Sequence, residues 1–327
     1  MAIAAIASLI AACGGDDADS DANGSGDGGN SAVTQQPEAA AEPRAQDFPK
    51  PEGRTLAQLA DLARSGPNLA PATSHYAAGP NRFAFGLLDG NNSFIYAPSA
   101  VYIGRTPQDK AAGPFLAPTD SLITEERFRS KQAVLEGDAI ASIYAAELPL
   151  QEPGRYAILV LTDTGDQLFG TTSQITVQRQ DTIPAPGERP PRIETDTLED
   201  SGGQVANIDT REPPSDMHET DFADVVGERP VALLFATPQL CQSRVCGPVT
   251  DIALQLREEY GDRIEFIHQE VYVDNEVDKG LRQPLRDFSL QTEPWLFTFD
   301  AEGRVAARLE GSFGLTGFEA ALNAALG

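Results

Sequence analysis

The sequence predicts a chain in three parts: an acidic unstructured tether, an all-β module, and an α/β domain at the C-terminal end. Three observations carry this. Residues 14 to 50 are rich in Gly, Asp, Ser, Ala and Pro and offer almost nothing to bury. From about residue 81 to 177, short runs alternate apolar and polar side chains between Gly, Pro and Asp punctuation. From Asp221 onward, apolar runs of strand length take turns with helix-period stretches. A length of 327 residues suits about two domains plus linkers. The 24 Lys and Arg against 49 Asp and Glu give a formal net charge of −25. Such a surface repels phosphate backbones and anionic headgroups, so nucleic acid is excluded as a partner.

The first element, residues 1–13, is the apolar stretch "MAIAAIASLIAAC", too short to span a bilayer. Its end, Ile10-Ala11-Ala12-Cys13, resembles the lipobox of bacterial lipoproteins, which implies a lipidated Cys13 at the mature N-terminus. That chain is expected outside the cytoplasmic membrane, lipid-anchored, where cysteine pairs can oxidise. Residues 14–77 follow as the tether. As flexible coil, residues 14 to 50 would span roughly 30 to 35 Å. The run Asp17-x-Asp19-x-Asp21-x-Asn23 is a poor calcium loop, because Gly28 stands where a bidentate Glu belongs.

Residues 78–178 read as a β-sandwich. Phe83, Phe85 and Leu87 alternate with Arg82, Ala84 and Gly86, and Tyr156, Ile158 and Val160 alternate with their neighbours, as one buried sheet face requires. The run Gly-Arg-Tyr-Ala-Ile-Leu-Val after "LQEP" resembles the penultimate strands of immunoglobulin-like bacterial domains, which implies a spacer or adhesion module. His75 just before it is expected to be a solvated loop residue. Residues 179–217, Pro-rich and acidic, read as an extended linker that packs only in places, and His218 at its end is expected at the surface.

Residues 218–327 form the α/β domain. "DFADVV" suits a short helix, and "RPVALLFA" a central strand buried on both faces. In "VTDIALQLREEYGD", Val249, Ile252, Ala253, Leu256 and Tyr260 share a face at helical spacing, with an end near Gly261. "RIEFIHQEVYV" is a second strand and "KGLRQPLRDFSL" a short irregular helix. "PWLFTFDAEGRVAARLEG" is a hairpin turning at residues 300–303. A final helix, "TGFEAALNAAL", is expected to open on a Thr316-x-x-Glu319 capping box.

This order of elements is similar to the thioredoxin fold. Cys246-Gly247-Pro248 looks like the start of the thioredoxin C-G-P-C motif, and Thr292-Glu293-Pro294 resembles the segment bearing its cis-proline. The resemblance covers roughly residues 205 to 327. It implies a dithiol exchanger needing no bound cofactor and no metal, acting on extracytoplasmic protein thiols or disulfides with a redox partner protein. By the same correspondence Cys246 would attack, Cys241 would resolve, and Pro294 would present substrate backbone. Val249 replaces the fourth motif position and the second cysteine lies upstream, giving C-x4-C.

Disulfide exchange needs one thiol ionised near neutral pH and a second within reach. A helix start favours thiolate, and Arg244 adds positive charge nearby. Positions i and i+5 of one helix are about 8 to 9 Å apart at Cα, beyond the roughly 4.4 to 6.8 Å of a disulfide. Cys241 must therefore sit in the loop before the helix, shaped by Pro238 and Gln239. Three other readings stay open. The pair can be a structural disulfide in a non-catalytic binding module. "TPQLCQSRVCG" also resembles the T-P-x-C-x4-C segment of Q-type peroxiredoxins, with Thr237 one residue too far upstream. Finally, two thiolates with the downstream His268 resemble Sco-type copper chaperones, whose cysteines are separated by three residues. No Walker A or H-E-x-x-H motif is present.

Overall fold

The computed structural model describes residues 37–134 and 140–327. Cys13, the calcium-like run and the tether up to residue 36 lie outside the described residues.

The N-terminal half holds α1 (Pro37–Ala40), α2 (Leu56–Ala60), β1 (Arg64–Ser65), β2 (Asn68–Pro71), β3 (Gly79–Leu88), β4 (Ser99–Gly104), β5 (Ala112–Leu116), β6 (Thr119–Ser121), α3 (Lys131–Val134), β7 (Ser142–Leu150), β8 (Gly154–Asp163) and β9 (Leu168–Val177). Two sheets form, ordered β1-β9-β8-β4-β5 and β2-β3-β7-β6. All pairings are antiparallel except β1 with β9. Phe83 and Phe85 of β3, Tyr144 and Leu148 of β7, and Tyr156, Ile158 and Val160 of β8 meet between the sheets. The alternation read from the sequence thus marks the inner face.

The strand β8 is apolar on its other face too. Leu159 and Leu161 pack outward, with Ala100 and Tyr102, under Phe48, Leu56 and Leu59. Among the described residues, the stretch read as tether therefore packs on the sandwich: Ala40 and Tyr76 enter its interior, while Phe48, Leu56 and Leu59 cover this outer face. Thr55 starts α2 with a capping box, its hydroxyl accepting from the Gln58 amide while the Gln58 side chain accepts from the Thr55 amide.

Residues 179–217 contain no strand or α-helix, only turns at 186–188 and 198–203 and a short 3-10 turn at Val205–Asn207, yet they are part of the following domain. Ile183 and Ile193 join its core, and Gly187 and Glu188 exchange backbone hydrogen bonds of 2.8 Å each with Val305. A segment read as a linker is ordered by adding itself to a sheet edge.

The C-terminal half contains α4 (Phe222–Val225), β10 (Val231–Phe235), α5 (Cys246–Tyr260), β11 (Glu265–Gln269), α6 (Gln283–Asp287), β12 (Trp295–Phe299), β13 (Val305–Glu310) and α7 (Leu315–Leu326). The sheet order is β11-β10-β12-β13, with β10 parallel to β11 and the other pairs antiparallel. Ala232 and Leu234 of β10 face α5 and α7. Val231, Leu233 and Phe235 face the opposite layer of Phe222, Leu285 and Phe288. The expected two-sided burial of this strand holds, as does the Val249 to Tyr260 face of α5.

The start of α7 differs from expectation. Its N-cap is Gly314, without a side-chain cap, and Asp120 of β6 instead accepts from the amides of Gly314, Thr316 and Gly317 at 2.8 to 3.0 Å. Glu319, assigned to the capping box, accepts from the Tyr260 hydroxyl at 2.8 Å. A carboxylate from another domain outcompetes the local hydroxyl because it reaches three donors at the positive end of the helix.

Candidate functional site

The site forms where β10 hands over to α5. Thr237 and Pro238 leave the strand, and Cys241 falls in a turn in which the Arg244 amide donates to the Cys241 carbonyl at 3.4 Å. Arg244 adopts a left-handed backbone (φ 63°), which folds the chain back on itself. Cys246 is then the first residue of α5. Pro248 occupies the third helical position, where a missing N–H costs nothing. Gly247 is buried against Gln132 and Ser130, placing the sandwich on the helix start.

This geometry meets the reach condition: both cysteines are free thiols and their side chains hydrogen-bond each other. Their surroundings are opposite. Cys241 is partly exposed and accepts or donates with the Ser243 hydroxyl at 3.2 Å. Its thiol is lowered to about 6, chiefly by the hydrogen bond with Cys246, with Ser243 and the Cys246 and Val245 amides adding to it against the opposing effect of burial. Hydrogen bonds at the helix start lead here, where the sequence suggested the Arg244 charge. Cys246 is fully buried, and burial first, then the hydrogen bond and charge of Cys241, push it well above its usual range.

The Glu293-Pro294 bond is cis, as the resemblance implied, and Pro294 accepts at its carbonyl from the Gly311 amide at 2.8 Å. Trp295 beneath it is buried, stacks on Phe297 and donates from its indole N–H to the Thr292 hydroxyl at 3.0 Å. Thr292 in turn donates to Glu310 at 2.8 Å. The Glu310 carboxylate also accepts from the amides of Ser74 and His75, at 2.8 Å each, and from the Ser74 hydroxyl at 2.6 Å. One carboxylate therefore ties the proline loop to the sandwich. The close approach needs Gly311 (φ 72°), since a Cβ there would lie 1.7 Å from the Ala72 carbonyl oxygen.

Between the halves lies a cleft of about 460 Å³, walled by Pro71, Ala72, Phe94 and Ile143 on the sandwich side and by Ser243, Val245, Thr292 and Glu293 on the other. Glu293 was quoted with the proline motif but given no role by sequence. Its carboxyl is raised to about 7, by burial first and then by the Cys241 charge.

The histidines depart from expectation. His75 is half-buried rather than solvated, bonded to Asp181 at 3.0 Å and edge-on to Trp295. His218 is 2% exposed, not at the surface. His268 is buried and bonded to the Ala236 carbonyl at 3.0 Å and, with Asp209 and His218, belongs to a group that contains neither cysteine. The Thr237 hydroxyl has no hydrogen-bond partner, so it does not serve Cys241 as the peroxiredoxin resemblance would require. Nothing in the spacing of the three histidines signals these placements.

A four-stranded sheet of this order, a helix opening on a buried cysteine and a cis-proline loop define a thioredoxin-like domain carrying a dithiol. No protein-family model and no curated protein matches the chain. Among solved structures it is similar to one assigned as a thiol:disulfide interchange protein DsbE from Chlorobium tepidum, with a TM-score of 0.31 and 15% identity over 44% of this chain and 99% of that one. It is also similar to a thioredoxin-family thiol:disulfide interchange protein from Chlorobium tepidum TLS, with a TM-score of 0.30 and 16% identity over 45% and 100%. For a thioredoxin-like superfamily protein the values are 0.27 and 14% over 33% and 86%.

Proposed function

We propose that the protein is a lipid-anchored, extracytoplasmic thiol-disulfide exchanger in which Cys241 attacks and Cys246 resolves. The observation that carries this reading is the contact between two thiols of opposite character, one reachable and ionised near neutral pH, the other sealed and protonated. This reverses the roles implied by the C-G-P correspondence, because a nucleophile must meet its substrate and only Cys241 is partly exposed.

In the reducing direction, the Cys241 thiolate attacks one sulfur of a substrate disulfide, forming a mixed disulfide and releasing one substrate thiolate. Cys246 then loses its proton to the Glu293 carboxylate and attacks the Cys241 sulfur. The second substrate sulfur leaves as thiolate, and two electrons have moved from the dithiol to the substrate. A redox partner protein restores the dithiol. The cleft beside Pro294 receives the substrate polypeptide. The strand order β2-β3-β7-β6 facing β9-β8-β4-β5 supports an immunoglobulin-like reading of the sandwich, which supplies one wall of that cleft.

Cys246→Ser is expected to trap mixed disulfides through Cys241, whereas Cys241→Ser traps none. A potential between about −270 and −120 mV for the couple fits a working exchanger, and one far below about −300 mV would replace this reading with a structural staple. For the anchor, Cys13→Ser is expected to release the protein from membranes. Unchanged membrane association would remove the lipid from the proposal.

A further inference from the structure

Two of the three histidines converge on one carboxylate in the interior, away from the dithiol. His268 Nε2 lies 3.0 Å from the Ala236 carbonyl oxygen. A carbonyl only accepts, so Nε2 carries a proton; in the neutral ring Nδ1 is then a lone pair, whereas in the imidazolium, which Asp209 favours against the opposing effect of burial, Nδ1 carries a second proton. That Nδ1 has no hydrogen-bond partner and sits 3.5 Å from Asp209 Oδ2. Carboxylate and Nδ1 face each other in a buried place that accepts either that proton or a metal cation between them, and the separation exceeds that of an ordinary N–H···O bond. His218 completes the arrangement, with Nε2 3.1 Å from the same Oδ2. All three residues are at most 2% exposed.

We propose that Asp209 Oδ2, His218 Nε2 and His268 Nδ1 form a binding site for a divalent transition-metal ion of the zinc type. The spacing fits. Bonds of about 2.0 to 2.2 Å in a tetrahedral site place neighbouring ligand atoms roughly 3.3 Å apart, against the 3.1 and 3.5 Å found here. The donor set of two imidazoles and a carboxylate suits zinc.

The surroundings orient the ligands as a metal site requires. The Ala236 carbonyl fixes the His268 ring with its free nitrogen inward. The Asp209 carboxylate is held by the Ser215 amide and hydroxyl, both at 2.7 Å on Oδ2, and by the Arg211 amide at 2.7 Å on Oδ1. Binding moves the His218 proton from Nε2 to Nδ1. Asp209 also contributes to the wall of a polar cleft of about 620 Å³. The ion would join residues 209 and 218 to β11, with Ala236 leading one residue on to Thr237, whose backbone bonds the Cys246 sulfur.

The test uses the full chain carrying Cys13→Ser, Cys241→Ser and Cys246→Ser, so that thiolates cannot bind metal. After chelator stripping, zinc is titrated against a chromophoric competitor and cobalt by visible absorption. One equivalent is expected, with a four-coordinate cobalt spectrum. His268→Gln should weaken zinc by about 100-fold or more, since even losing an outer-shell partner costs about 10 to 100-fold, while His75→Gln should not change it. Absence of stoichiometric binding, or unchanged affinity in His268→Gln, overturns the site. Should that variant misfold, imidazole NMR of the cysteine-free chain decides: zinc shifts His218 and His268 but not His75 if the site is real, and any other pattern overturns it.

Discussion

The sandwich interior and the interior of the C-terminal half treat polar groups in opposite ways. Between the two sheets the buried polar atoms are largely tyrosine hydroxyls that find backbone partners, as Tyr144 does at Ala97 and Tyr96 at Ser142. In the other half, Asp209, Arg211, His218, Asp251, His268 and Glu270 are all at most 4% exposed. Arg211 Nε bonds Asp251 on α5 at 2.9 Å, and Asp251 accepts in turn from the Ser130 amide of the sandwich at 2.8 Å. The difference teaches that the sandwich is held mainly by apolar contact, with the buried guanidinium of Arg82 as its charged exception, whereas the other half is held in register by buried charge pairs.

That contrast can be broken most forcefully at Arg211. Arg211→Ala leaves Asp251 buried without its counter-charge and should cost about 3 to 5 kcal/mol in denaturant unfolding. Equal stability in the variant would refute the latch. Gly311→Ala adds a methyl against the Ala72 carbonyl at a left-handed backbone, for about 2 to 4 kcal/mol. Its signature is a loss concentrated at the interface, read as faster amide exchange in residues 72–76 than in β3. Asp120→Ala strips the first turn of α7 of its acceptor, for about 1 to 2 kcal/mol. The same change at Thr55 in the sandwich should cost no more, and thermal unfolding of the pair compares the two caps directly.

The smallest effects sharpen the comparison between the two thiols. Cys246→Ala removes the main donor to Cys241, so the alkylation midpoint should rise from about 6 toward the roughly 8.5 of an unperturbed thiol. Because the folded value is depressed, the associated stability is complete above about 8.5 and is lost as pH falls through about 6. The variant should flatten that dependence. Glu293→Gln removes a neighbouring negative charge and should lower the midpoint by less than about one unit. An upward shift would show that Glu293 does not face the thiolate.

The sequence disclosed what local periodicity encodes. The strands at 83–87 and 231–235, the α5 face and the turn at 300–303 follow from the spacing of apolar residues and from glycine, and Cys241 was placed in the loop by reach alone. Other features depend on partners remote in the chain and leave no local pattern. Asp120 caps a helix nearly 200 residues away, and Phe48 and Leu56 look like tether until Leu159 and Leu161 need cover. The buried histidines belong to the same class, since Asp209, His218 and His268 share no motif spacing. The contrast between the two thiols was also hidden, because exposure and hydrogen bonding set it, while the motif correspondence speaks only of position.

Glu310 reaches both the proline loop and the backbone at Ser74 and His75. A fragment severed at residue 218 would carry both cysteines yet leave this carboxylate with Thr292 and without its donors at Ser74 and His75, and it would lose one wall of the cleft. The shape of that cleft is consequently a joint property of the two halves. Grafting the C-terminal portion onto another carrier would transplant the two thiols and leave the cleft's other wall behind.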